Sequence, residues 1–255
     1  MDRVRTGIKG FDEQVEGGLP KGFNILLTGL PGTGKTIFGQ QFLYNNAKQG
    51  KPGVYVSLDM SDEIFREQGG QFGWDIEALE KENLLSIVKI PLNRNKISIF
   101  DTIEEEVAHI KAENMVFDSL AAFAINIEQF AVPLIYDEKV ARILSTSNLG
   151  DKERFYEGKS KKRLTYLAIN HLSNLKTTNL LITDHVSEDN NATIDGVSEY
   201  VSDGVVQMFD TLVGAKRVRT MTVLKMRNTN HSPYVHGFDI TKEGIVVQPA
   251  EAVYQ

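Results

Sequence analysis

The eight residues "GLPGTGKT", Gly29 to Thr36, carry the strongest chemistry in the sequence. They fit the pattern G-x-x-x-x-G-K-[ST] and lie between the apolar run "FNILLTG" and the helical stretch "KTIFGQQFLYNNAKQ". Gly29, Gly32 and Gly34 let backbone N–H groups turn inward around phosphate oxygens, with Leu30, Pro31 and Thr33 completing the loop. The helix that follows offers its free amides and positive dipole end to the same anion. Lys35 is placed to reach the β- and γ-phosphates, and Thr36 to give its hydroxyl to Mg²⁺. Strand, loop and helix fall where that mechanism needs them, so a nucleotide is the expected ligand.

A phosphate-bound Mg²⁺ needs an acidic partner on a neighbouring strand. Asp118, ending the strand within "MVFDSL", is the candidate for that place; N-capping the next helix is the lesser alternative, and the two uses are compatible. Asp59 ends "GVYVSLD" and would face the γ-phosphate from the carboxyl ends of the sheet, where open α/β folds place ligands. It is the candidate for orienting an attacking water; a helix N-cap or a plain loop carboxylate beside Ser61 is the alternative. Far along the chain, "TVLKMRNTNH" sets Lys225 and Arg227 two residues apart on an expected strand, so both cations leave one face. Cations accelerate phosphoryl transfer by meeting charge on the γ-phosphate. By spacing alone, the solvated face of an antiparallel strand is the better reading of the pair.

These residues need a scaffold, and the chain alternates short apolar runs with helical stretches from residue 23 onward, the pattern of a mainly parallel sheet covered by helices. Strands are expected in "FNILLTG", "GVYVSLD", "LLSIVKI", "MVFDSL" and "NLLITDH", with helices in "KTIFGQQFLYNNAKQ", "SDEIFREQGGQFGW" and "FDTIEEEVAHIKA". "DGVVQMFDTL" and "RVRTMTVLKMR" flank "VGAK" as an antiparallel hairpin, and "HGFDI" and "GIVVQP" read as further strands. Residues 126–163 show little periodicity and read as an insertion or mobile loop in a single domain spanning 1–255. Trp74 in "FGWD" reads as core rather than a base-stacking platform, and His231, His236 and Asp239 as polar or interface residues rather than metal ligands.

Composition excludes several classes. The 255 residues are 41% hydrophobic, with 28 basic and 34 acidic side chains and a net charge of -6, which argues against a general polyanion binder. Without cysteine there are no disulfides or thiolate metal sites. Neither an apolar signal segment nor an uncharged run long enough to span a bilayer is visible, so a cytoplasmic protein with no membrane contact is expected.

With these residues in view, the chain resembles the KaiC-like branch of the RecA superfamily of ATPases. The likeness runs from "VRTGIKGFDEQVEGGLPKG" through "GLPGTGKT", "GVYVSLD" and "FGWD" to "GVSEYVSDGVVQM", "LKMRNTNH" and "FDITKEGIVV". It implies a RecA-like α/β fold, a mainly parallel central sheet flanked by helices with a C-terminal antiparallel hairpin. It further implies ATP and Mg²⁺ as cofactors, and a homo-oligomer, expected to be a hexameric ring, with ATP between subunits. Carried over, Lys225 and Arg227 become cations reaching in from the next protomer. Two departures stand out. Where the family usually carries two glutamates, this chain has Asp59-Met60, one carboxylate shorter by about 1.5 Å. Since about 1 Å of misplacement costs around a hundredfold in rate, slow hydrolysis is expected. The second departure is the length of 126–163, in whose 151–163 stretch six basic residues face three acidic ones.

The leading reading is thus a Mg²⁺-dependent, slow ATPase ring. A non-hydrolysing, ATP-dependent assembly switch that docks an unknown protein partner is the alternative. A single-stranded DNA-binding recombinase relative is less favoured, because the acidic "VSEDNNATIDGVSE" would repel phosphates.

Overall fold

The computed structural model describes residues 1–90, 99–126, 159–184, 193 and 196–249. Strands β1 (Arg3–Val4) and β2 (Leu19–Pro20) pair as a small antiparallel ribbon around a 3-10 turn at Asp12–Val15. The main chain path then runs β3 (Asn24–Gly29), α1 (Lys35–Ala47), β4 (Gly53–Ser57), α2 (Asp62–Gln71), α3 (Ile76–Lys81), β5 (Leu85–Lys89), α4 (Ile99–His109), β6 (Asn114–Asp118) and α5 (Leu120–Ile125). After residues outside the description come α6 (Lys159–Ser173), β7 (Thr178–Asp184), α7 (Ser198–Val201), β8 (Gly204–Val213), β9 (Lys216–Met226), β10 (His236–Thr241) and β11 (Gly244–Val247).

Among the described residues, nine strands form one sheet in the order β11-β10-β9-β8-β3-β7-β6-β4-β5. The six strands from β8 to β5 are parallel, and β9, β10 and β11 extend them antiparallel. The mainly parallel sheet and C-terminal hairpin expected from the sequence are therefore present. The hairpin turns on Gly214 and Ala215, with Gly214 at φ 61. β8 also closes the parallel set by pairing with β3, a double role that residue types do not reveal.

The strands are continuously apolar because both faces are covered. Ile25 and Leu27 pack with Phe38 and Phe42 of α1 and with Phe11 of the N-terminal segment. Leu26, one residue out of phase, packs on the opposite face with Phe117 of β6, Phe123 of α5 and Leu172 of α6. Trp74 belongs to the first cluster, stacked at 5.3 Å on Tyr44 and 4.7 Å on Phe72.

One boundary differs from expectation. Residues 159–163 are not loop but the first turns of α6, whose Leu164, Leu167, Ala168 and Leu172 recur at helical spacing on the core. The start of that helix, "KSKKR", is wholly polar and carries no periodicity to read. The remainder of the expected insertion, 127–158, lies outside the described residues, as does most of the acidic 186–199 stretch.

Candidate functional site

The loop Gly29–Thr36 leaves the carboxyl end of β3, and three aspartates gather around it from the same ends of other strands. Asp184 ends β7, in register with Gly29, and Asp118 ends β6. Asp59 lies two residues beyond β4, on a strand separated from β3 by β7 and β6. All of them line a cleft of about 390 Å³ together with Gly32, Gly34, Lys35 and Thr36. That size falls within the range of small-molecule sites.

The loop's backbone demands glycine at specific positions. Gly34 has φ 102 and Gly32 φ 84, which side-chain-bearing residues rarely adopt. At Gly29 a Cβ would sit 2.5 Å from the carbonyl oxygen of Met208 on β8. Gly34 is also the N-cap of α1 and supplies no side-chain cap, so the helix opens with amides directed to the loop.

Lys35 is buried at 8% exposure, and its Nζ donates to the carbonyls of Gly29 at 2.7 Å and Leu30 at 3.1 Å. The same Nζ lies 3.0 Å from Asp184 Oδ1. Asp184 was not among the residues singled out from the sequence, although "NLLITDH" ends in a carboxylate just as "MVFD" does. Thr36 Oγ1 donates to Asp118 Oδ2 at 2.8 Å, and the Tyr55 hydroxyl donates to that oxygen at 2.6 Å. Tyr55, fully buried on β4, gives no such signal in the sequence, because a tyrosine in an apolar strand reads as packing.

The helix-capping uses considered for the two aspartates do not occur. Ser119 caps α5 by accepting from the Ala122 amide at 3.1 Å, and Ser61 caps α2 by accepting from Ile64 at 3.3 Å. Burial pushes Asp118 above its usual range and Asp59 adds to this, while bonds from Tyr55 and Thr36 and the charge of Lys35 oppose it. Burial and then the Asp118 charge hold Tyr55 well above 10.0. Asp59, exposed on the cleft wall, is raised by desolvation and by Asp184.

A raised acid favours the folded state when protonated. The contribution is complete below the ordinary value of 3.8 and is lost as pH rises through the raised one. Asp118→Asn removes the buried charge and keeps an acceptor for Thr36 and Tyr55. The nucleotide-free variant is expected to be more stable at pH 7 by on the order of 1 kcal/mol, about 2–4 °C in thermal midpoint, with no gain near pH 3. Melting curves at the two pH values check this.

Lys225 and Arg227 are not brought to this cleft. Arg227 follows the last residue of β9; its amide bonds to Asp203 O, and the Asp203 amide bonds to Asn24 O at the amino end of β3. The phosphate loop begins at the other end, about 16 Å along the strand and about 10 Å across two strand spacings. Neither cation reaches its own chain's loop. Lys225 Nζ instead donates to the carbonyls of Glu199 (3.1 Å), Tyr200 (3.4 Å) and Ser202 (2.5 Å). Burial and the neighbouring Arg227 lower its pKa. Arg227 Nη1 pairs with Asp203 Oδ1 at 2.8 Å. The simple alternation assumed for this strand is broken by a bulge: Val206 pairs with Val223 but Val205 pairs with Lys225, leaving Leu224 as the extra residue. Met221, Val223 and Met226 are consequently all buried, while Leu224 and Lys225 are turned outward.

Comparison with known proteins gives the family and the fold. The family model described as the KaiC ATPase matches residues 4–133 and 136–252. The chain is 32% identical over 269 residues to a UPF0273 protein of Aeropyrum pernix, covering 99% of this chain and 96% of that one. It is 29% identical to circadian clock oscillator protein KaiC 1 of Synechocystis, covering 99% of this chain but 45% of the longer protein. The crystal structure of a KaiC-like protein from Pyrococcus horikoshii superimposes with a TM-score of 0.77 at 32% identity, covering 97% of this chain and 99% of that one.

Proposed function

The chain belongs to the KaiC family of ATPases, and from that premise we propose that it is a single-domain, Mg²⁺-dependent ATPase that works as a ring, each ATP lying between two copies. The observation that carries the reading is the split between its two halves. Lys35, Thr36 and Asp118 share one cleft, while Lys225 and Arg227 stand at the opposite end of the sheet and serve no phosphate of their own chain. A ring closed by a heterologous contact places one surface of each copy against a different surface of the next, which joins such halves. A hexamer fits the family resemblance.

The donors present suit the cofactors. Gly32 and Gly34 form a cradle for phosphate oxygens, and the hard oxygens of Thr36 and Asp118, 2.8 Å apart, suit Mg²⁺. When bound, the ion neutralises charge on the β- and γ-phosphates. Tyr55 orients Asp118, and Lys35 exchanges Asp184 for phosphate oxygens. Lys225 and Arg227 of the adjacent copy meet the charge that develops on the γ-phosphate.

Asp59 is the weak part of this site, and its geometry favours slow turnover, with an assembly switch as the limiting case. It is exposed and has no hydrogen bond among the described residues, while its neighbour Met60 is pinned by two bonds to the Ser57 hydroxyl. Asp59→Glu restores the reach expected of the family and should raise phosphate release about tenfold or more. Phosphate-release assays beside mass measurement with ATP, with ADP and without nucleotide test the function. Assembly with slow release supports an ATPase, whereas an ATP-dependent ring without release in either protein makes the chain a switch.

A further inference from the structure

Arg3 is tied to the segment that follows Arg227 across 226 positions of sequence. Its Nη1 donates to the carbonyls of Val15 (3.1 Å) and Gly18 (3.0 Å) and to Thr229 Oγ1 (3.1 Å). Its Nη2 bonds to Glu16 Oε2 at 2.5 Å and to Asn228 O at 3.3 Å. The side chain is only 16% exposed, low for a charged residue. The Thr229 hydroxyl passes the linkage on by donating to Arg227 O at 3.2 Å. Asn228 turns the chain between them at φ 54, and Ser232 N bonds to Gln14 O at 2.8 Å, so the whole loop is seated on the N-terminal segment.

We propose that Arg3 is a positioning residue for Arg227, holding the backbone from which that guanidinium reaches the nucleotide of the adjacent copy. The proposal rests on the shared-site reading above. Reaching another copy's phosphate requires Arg227 to leave or share Asp203, its one side-chain anchor among the described residues. Its main chain is anchored independently, by Asp203 on one side and by the Arg3-Thr229 linkage on the other. A planar fork spanning two separate loops is a task for arginine: a lysine ammonium cannot present its three donors in that arrangement.

The test uses the full-length protein and its assembled form. Arg3→Ala should lower kcat for phosphate release about tenfold to a hundredfold while leaving KM for ATP within about twofold, since the phosphate loop is at the other end of the sheet. Arg3→Lys should recover only part of the loss. In mixed rings, Arg3→Ala subunits should regain activity with Lys35→Ala subunits, which bring an intact cation edge, and not with Arg227→Ala subunits. A parallel loss in kcat and ATP affinity, or wild-type activity, would overturn the positioning role. If Arg3→Ala fails to fold or assemble, Thr229→Val removes the relay and leaves the N-terminal bonds in place; the same kcat-against-KM split is then expected, and an unchanged kcat refutes the proposal. Mixing Lys35→Ala with Arg227→Ala is the control: no recovery there sinks the shared site itself, whereas recovery there with a fully active Arg3→Ala sinks only the role of Arg3.

Discussion

Arg227→Ala is expected to slow phosphate release by about a thousandfold or more, the range over which an arginine meeting the transferring phosphoryl group acts. ATP affinity should change far less than turnover, because the cation acts mainly on charge that develops on the γ-phosphate in the transition state, while the described residues lining the cleft that holds the phosphates do not include Arg227. Stability should hardly move either. The pair with Asp203 is half exposed on the arginine side, and pairs of that kind contribute about 0–1 kcal/mol. Single-turnover phosphate release and titration with a fluorescent ATP analogue separate the two quantities. A variant that binds normally and turns over at the wild-type rate would return Arg227 to the role of a surface cation.

Lys35→Ala should produce the opposite pattern, loss of binding itself. The ammonium now bonded to two carbonyls and Asp184 is, among the described residues, the only cation lining the cleft. Charged hydrogen bonds contribute about 1.5–3 kcal/mol each, so removing the phosphate contacts should weaken ATP by about a hundredfold or more. Truncation also leaves Asp59, Asp118 and Asp184 facing the phosphates without compensation. Thermal shift gives a direct readout. At ATP concentrations about a hundred times Kd, the wild type gains about 2.7 kcal/mol, or roughly 5–10 °C, and the variant should gain almost nothing. A variant with an undiminished shift would place the nucleotide elsewhere.

Much of this architecture was legible in residue types. Buried parallel strands are continuous apolar runs, and a phosphate loop advertises itself through glycines at φ 84 and 102, which other residues rarely adopt. Asp118 was legible because it ends such a run. Asp184 carries the same signal, but only strand order reveals that β7 lies beside β3 and sets its carboxylate against Lys35. Tyr55 and Arg3 were not legible at all: one hydroxyl inside a core strand and one arginine near the N-terminus acquire meaning only from partners 63 and 226 positions away. The bulge at Leu224 is a similar case. Period-two counting assumes an unbroken ladder, and a single inserted residue changes which side chains turn outward.

The most direct test of the shared site is a structure of the assembled protein with Mg²⁺ and a non-hydrolysable ATP analogue. The γ-phosphate bound by Lys35 of one copy should lie within hydrogen-bond distance, about 3 Å, of Arg227 from the adjacent copy, with Thr36 and Asp118 at the metal. A γ-phosphate contacted only by the chain that supplies the loop, with every Arg227 still paired to its own Asp203, would contradict the account.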